Sequence, residues 1–466
     1  NAMEHDTPTE GNLDRLATGS IARLLWRYSL PAVVGMVVTS LYNVIDRIFI
    51  GQGVGIEAIA GLAITFPVMN VSTAIGVLIG AGASARVSIM LGAADRRGAQ
   101  LVLGNALVLT VVNALVYLTL FRIFLDDILL AFGASPATLP YARDFMVCLL
   151  PGMMVMNISF SFNNIMRASG YPARAMLTMF IGAGINVILD PIFIFVFDWG
   201  IKGAAIATDI AMTCSMIFVM AHFMRRDSTL RFTRGIYRLR WRIIAGIISI
   251  GAAPSLVNLA GSAINVIVNT SLYTHGSDNA VAASGIFTTY TSLLVMVVVG
   301  LCQGMQPILG YNYGAGLYGR LKRCYWLATG AATAIVTAGC AFGLLWPGLI
   351  ARAFTTDPTL IAVTSRALSL SLLAFWAVGF QIVATTFFQS IGKAGKSIFL
   401  SLTRQVIFLI PLLLTLPDRL GLDGVWLSFP SSDVMATIVT ALMIAFQLRR
   451  LPAAPLPCFA GTKATK

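Results

Sequence analysis

Twelve stretches of this chain are each long and apolar enough to cross a lipid bilayer, and that pattern leaves few architectures open. A hydrocarbon core of about 30 Å needs about 20 apolar residues in helical form. The stretches lie at roughly 27–50, 57–85, 99–122, 138–166, 174–197, 203–224, 243–274, 281–311, 324–350, 360–389, 397–417 and 422–448. Some contain Pro or Gly, which spanning helices tolerate when neighbours re-satisfy the freed backbone groups. Charged residues make up 11% of the chain and hydrophobic ones 57%, against about 25% charged in a soluble domain. So few charges cannot cover a water-facing surface. The expected fold class is all-α integral membrane, with twelve transmembrane helices.

Lys and Arg set the orientation. With both termini on one side, the opposite side collects seven of the 32 basic residues: Arg47, Arg122, Arg143, Lys202, Arg352, Arg366 and Arg419. The rest fall on the terminal side, with a dense run from Arg225 to Arg242. The positive-inside rule then makes both termini cytoplasmic, and it accounts for the net charge of +13 without a nucleic-acid partner. Residues 1–23 read as an N-terminal tail opening on Asn1 and Ala2, an expression scar before Met3. That tail has no apolar h-region and so is not a cleavable signal peptide. Six scattered cysteines and three isolated histidines, His5, His222 and His275, indicate neither a disulfide framework nor a metal cluster. They argue against a membrane-embedded enzyme.

The chain repeats itself. Gly92 and Gly314 are 222 residues apart, and the same offset joins Phe132 to Phe354, Pro136 to Pro358, Gly170 to Gly392 and Arg174 to Lys396. Pro31 and Pro254 differ by 223; Gly200 with Gly421, and Gly203 with Gly424, differ by 221. Gly and Pro carry backbone geometry, so their agreement weighs more than that of apolar positions. Six helices per copy is an even number, so both copies enter the membrane in the same direction. The repeat predicts two six-helix lobes related by an axis along the membrane normal, with a cavity between them. The expected divisions are a first lobe at 24–224, a basic cytoplasmic linker at 225–242, a second lobe at 243–450 and a C-terminal tail at 451–466. Two such lobes suit alternating access and disfavour a passive channel, but fold alone names no substrate.

Ionisable residues inside spans are costly and point to function. Asp46 lies roughly 28 Å beyond the terminal-side start of the first span, and Asp190 roughly 24 Å into the fifth, at 1.5 Å per residue. Thr208 lies about 7 Å from the opposite entrance of the sixth span, again in the outer half. Asn186 precedes Asp190 by four positions and shares its helix face. Two carboxylates, an amide and a hydroxyl at one depth form an oxygen set for Na+, or a carboxylate pair able to share a proton. The competing reading is that Asp46 and Asp190 are solvated near the outer mouth or cap helix ends, and Arg47 beside Asp46 keeps it open. Asp209 and Asp433 sit near the outer starts of the sixth and twelfth spans and read as helix-dipole acids. On the fourth span, Asn157, Asn163 and Asn164 stand among Met153, Met154, Met156, Phe160 and Phe162. Adaptable Met and aromatic side chains suit a promiscuous pocket, so Asn157, Asn163, Asn164 and Phe162 are candidate cavity residues. Gln303 and Gln306 on the eighth span are the second lobe's polar counterpart.

Four stretches carry a resemblance to a known family. They are Leu41-Tyr-Asn-Val-Ile-Asp-Arg-Ile-Phe-Ile-Gly51, then Leu91-Gly-Ala-Ala-Asp-Arg-Arg, then Asn186-Val-Ile-Leu-Asp-Pro-Ile-Phe-Ile-Phe195 with Gly203-Ala-Ala-Ile-Ala-Thr208, and Gln306-Pro-Ile-Leu-Gly-Tyr-Asn-Tyr-Gly-Ala-Gly316. From about Leu24 to Arg450 the chain resembles the multidrug and toxin extrusion (MATE) family, and within it the bacterial MepA-like branch. The resemblance implies a multi-pass protein of the bacterial cytoplasmic membrane, exporting cationic amphiphilic drugs against a H+ or Na+ gradient. It implies a first-lobe cation site on Asp46, Asn186, Asp190 and Thr208, and a cavity-lining Asn at Asn163. No cofactor is expected beyond the coupling ion; the expected partners are the drugs, the ion and membrane lipids, with the chain a monomer. The sequence departs from the Na+-coupled NorM-like pattern, which has acids on the seventh and tenth helices. Here those helices show neutral residues such as Asn269 and Gln381, which favours H+. The alternative within the wider superfamily is a flippase for lipid-linked oligosaccharides, a class usually carrying more spans and a more charged cavity.

Overall fold

A computed structural model describes residues 8–452; the expected expression scar and residues 453–466 lie outside the described residues. The first lobe is built from α2 (Ile21–Gly53), α3 (Ile56–Gly92), α4 (Arg96–Ile123), the short α5 (Leu125–Ala131), α6 (Leu139–Ala168), α7 (Pro172–Pro191) and α8 (Gly200–Met224), preceded by α1 (Pro8–Thr18). The second contains α9 (Trp241–His275), α10 (Asp278–Gly314), α11 (Tyr318–Leu345), the short α12 (Pro347–Phe354), α13 (Pro358–Ser371), α14 (Val378–Ser390), α15 (Ala394–Leu402), α16 (Ile410–Leu420) and α17 (Leu422–Arg450). Eleven helices among the described residues are long and apolar enough to cross a membrane, or twelve if one bent pair counts as a span. Short α5 and α12 start 222 positions apart, so the sequence repeat is a structural one. Local signals set the boundaries: Asp95 accepts from Gly98 N at 2.8 Å to cap α4, and Asp357 accepts from Thr359 N at 3.0 Å to cap α13.

The tenth span, expected as one helix over 360–389, is bent by 55° between α13 and α14. At the bend the Leu372 carbonyl accepts from Phe375 N at 3.1 Å and from the Cys340 thiol at 2.9 Å. Residues 1–23 are not simply a tail, because α1 buries Leu13 and Leu16. Its C-terminal carbonyls are clasped from the second lobe: Arg320 donates to Leu16 O at 3.1 Å and to Gly19 O at 2.7 Å. The segment between α8 and α9 is likewise tied down. Asn105 of α4 donates to Arg238 O at 3.1 Å and accepts from Arg240 N at 2.9 Å.

The apolar core shows where the lobes meet. One large cluster on the face bearing the termini joins α1, α2, α3 and α6 to α9, α10, α11 and α14. Toward the opposite face it gives way to two separate clusters, one around Ile50, Met146 and Ile201 and the other around Val268, Leu413 and Trp426. The lobes are thus joined on the terminal face and divided on the other. Glycines make the joint close. A Cβ on Gly92 would lie 2.0 Å from Tyr311 O, and one on Gly314 would lie 2.0 Å from Ile89 O. These two contacts are mates under the 222-residue offset. Gly82 against Ile247 O and Gly251 against Leu78 O bring α3 and α9 equally near.

Candidate functional site

Asp190 sits in the last turn of α7, where Pro191 ends the α-helical ladder and a π turn, Ile192–Val196, follows. Asn186 lies one turn earlier, and neither residue has any solvent exposure. Helix α8 contributes Thr208, whose hydroxyl accepts from Asn186 Nδ2 at 3.1 Å and donates to Ala204 O at 3.0 Å. Thr208 therefore holds the amide in place. Helix α2 contributes Asp46, well inside the helix, with its carboxyl within hydrogen-bonding reach of Asp190. The four residues of the expected cation cluster are thus neighbours, and neither acid caps a helix start. Tyr42, one turn before Asp46, brings its phenol near both carboxyls; its spacing was the available signal, and sequence reasoning passed over it.

The arrangement is short of donors. Asp46 Oδ1, both Asp190 carboxyl oxygens and Asn186 Oδ1 are buried without a hydrogen-bond partner among the described residues. Buried acceptors without donors are costly, and two bare carboxylates in contact also repel. One added proton would let one carboxyl donate to the other; a small cation would engage the same oxygens.

Asp433 corrects a sequence expectation. It lies eleven positions after the start of α17 rather than in a first turn, is 2% exposed, and accepts from Arg404 Nε at 2.6 Å. Arg404 stands in a π-helical segment, Thr403–Leu409, between α15 and α16. A helix-dipole role does not describe this acid; an intramembrane ion pair does. Asp209 lies ten residues into the same α8 as Thr208, but one oxygen packs on α6 where Gly152 has no side chain, 1.7 Å from where a Cβ would be.

The expected cavity residues have other neighbours. Asn157 donates to Ser72 at 3.1 Å, between α6 and α3. Phe162 is fully buried against Phe223 and Phe232, at 5.6 and 5.9 Å between ring centroids. Asn163 donates to Ala175 O at 2.7 Å. Asn163, Asn164 and Gln303 converge on one guanidinium: Arg167 donates to their side-chain oxygens at 3.0, 3.3 and 2.9 Å. Arg167 is 2% exposed and pairs with no carboxylate among the described residues. The Gln303 bond joins the lobes across the seam. Sequence reasoning counted Arg167 as a loop charge, since it falls one residue past the expected span edge.

Two segments of the chain, residues 31–192 and 254–415, each match the sequence model of the MatE family. The chain is 26% identical over 431 residues to the multidrug export protein MepA of Staphylococcus haemolyticus, covering 92% of this chain and 94% of that protein. Among solved structures, a multidrug resistance MATE family transporter of the MOP superfamily, described as outward-facing, superposes with a TM-score of 0.89 at 27% identity, covering 94% of this chain and 98% of the other. A MOP superfamily transporter from Pyrococcus furiosus, described as having a binding pocket of reverse polarity, gives 0.88 at 28% identity with the same coverage.

Proposed function

This chain belongs to the MatE family of transporters, and from that premise we propose that it is a secondary active antiporter exporting cationic lipophilic drugs in exchange for H+. Its similarity to multidrug export proteins supports the substrate class. The observation that carries the coupling is the Asp46–Asp190 pair: two carboxyls within hydrogen-bonding reach, Asp190 fully buried and Asp46 partly so, with three of their four oxygens buried and without donors. Contact between carboxyls is favourable when they share a proton and repulsive when they do not. Protonation and deprotonation of this pair then bias the packing of α2 against α7. The unpartnered Asn186 Oδ1 favours Na+ as the second reading, with Asp46, Asn186, Asp190 and Thr208 as its oxygen set.

In this reading both termini are cytoplasmic, as the basic residues favour, in a bacterial cytoplasmic membrane, and the chain acts as a monomer. The lobes, 24–224 and 243–450, rock about the linker at 225–242. The described state is then closed to the cytoplasm. Parting the terminal-side seam releases Asn164 and Gln303 into an inward vestibule, where they contact substrate; Asn157, Phe162 and Asn163 hold the wall behind them.

Purified protein in sealed vesicles, given ΔpH and ΔNa+ separately, tests this. Uphill movement of a cationic dye should follow ΔpH alone, and Asp46→Asn and Asp190→Asn should each abolish it with folding intact. Drive by ΔNa+ alone would replace the proton with sodium. Normal uphill export by both variants would remove the pair from the coupling step.

A further inference from the structure

The second lobe carries polar chemistry that the coupling pair does not use. A cavity of about 290 Å³ lies between α9, α10, the π-helical segment and α17, just below the range of about 300–1,000 Å³ for ligand pockets. One wall is aromatic, with Phe287 and Phe429 tilted against each other at 5.2 Å between centroids. The polar lining of the cavity is Arg404, Gln405, Asp433 and Asn265, with Asp433 one helical turn beyond Phe429 on α17. We propose that this cavity binds a net-neutral, zwitterionic aromatic amphiphile, its anionic group on Arg404 and its cationic group on Asp433 and Gln405.

Three features support that choice. First, the Arg404–Asp433 bond uses Nε, so the two terminal nitrogens of the guanidinium are uncommitted among the described residues. The Arg404 side chain lines the cavity and is 26% exposed. Second, Asp433 Oδ2 and Gln405 Oε1 are buried without a partner, so acceptors in need of a donor lie beside donors in need of an acceptor. A bare cation would meet the repulsion of Arg404, and a bare anion that of Asp433; a molecule carrying both charges answers both. Third, the pair is peculiar to this lobe. Arg404 stands 222 positions after Gly182, and Asp433 stands 221 after Met212, so the repeat alone does not account for it. The π-helical turn that carries Arg404 is a departure from regular helix of the kind found at functional sites.

Tryptophan, tryptamine and indole-3-acetate share one ring system and differ in whether they carry both charges, the amine or the carboxylate. Equilibrium binding of labelled tryptophan to the whole protein in lipid nanodiscs, with the other two as competitors, reads the proposal. No gradient is imposed, so the outcome is independent of which ion drives export. Tryptophan should bind at least about tenfold more tightly than either single-charge probe, as expected for one charge-assisted hydrogen bond. Its advantage over tryptamine should vanish in Arg404→Gln. If that variant does not fold, the double variant Arg404→Met/Asp433→Leu removes both charges at similar volume, and it should bind all three probes alike. Equal binding of tryptophan and tryptamine to the native protein overturns the proposal, as does an advantage that survives in the double variant.

Discussion

The two lobes share a repeat of helices but treat their buried acids in opposite ways. In the first, Asp46 and Asp190 face each other with Asn186 alongside, and Asp46 Oδ1, Asn186 Oδ1 and both Asp190 oxygens lack donors among the described residues. In the second, Asp433 is held by Arg404 at 2.6 Å. The repeat aligns Asp46 with Asn269, Asp190 with Leu412, Asn186 with Phe408 and Thr208 with Phe429, so neither acid of the first site has an acid as its mate in the other lobe. An acid lacking a basic partner can be neutralised by a mobile ion, whereas a paired acid is already neutralised by a fixed one. One fold thus supplies a site that exchanges charge and a site that keeps it.

Giving the first lobe what the second has should have the largest effect. Asn186→Arg places a guanidinium beside Asp46 and Asp190, supplies the missing donors and should abolish ΔpH-driven dye export in vesicles while the protein purifies in folded form. Export at the native rate would break the comparison. Next comes taking the base from the second lobe. Arg404→Leu strands Asp433 as an uncompensated buried charge and should destabilise by about 3–5 kcal/mol, read as a lower thermal midpoint. The double variant Arg404→Leu/Asp433→Leu should recover most of that loss. A smaller effect is expected of Thr208→Val, which removes the acceptor for Asn186 Nδ2 and should cost about 1 kcal/mol, with a several-fold slower export rate. Smallest is the stability change of Asp190→Asn, within about 1 kcal/mol of the native protein, because no existing ion pair is lost. A drop as large as that of Arg404→Leu would mean that the two acids are held alike.

Much of this was legible in the sequence, for identifiable reasons. Spans could be read because lipid demands about 20 apolar residues per crossing, and the repeat because Gly and Pro mark backbone geometry in both halves. The first-lobe cluster was legible since Asn186 and Asp190 share a helix face and depth can be counted along a helix. Asp433 was misjudged because its counter-charge lies 29 residues away on another helix, which no local pattern reveals. For Asn163, Asn164 and Gln303, facing a cavity and holding a buried guanidinium leave the same mark in a sequence; only assembly separates them. Helix α1 escaped notice because its two buried leucines sit in an otherwise polar segment of eleven residues, too short for a window sized to a membrane.

The glycines of the seam have a mechanical meaning. Where Gly92 meets Tyr311 O and Gly314 meets Ile89 O, main chain rests on main chain, and no long side chain must be re-sorted when the surfaces part. Such a joint can open and shut many times without losing its register, and its tolerance is less than one methyl group. A carbon added at either glycine works as a wedge driven into a valve seat: it would leave each lobe whole and prevent the valve from closing.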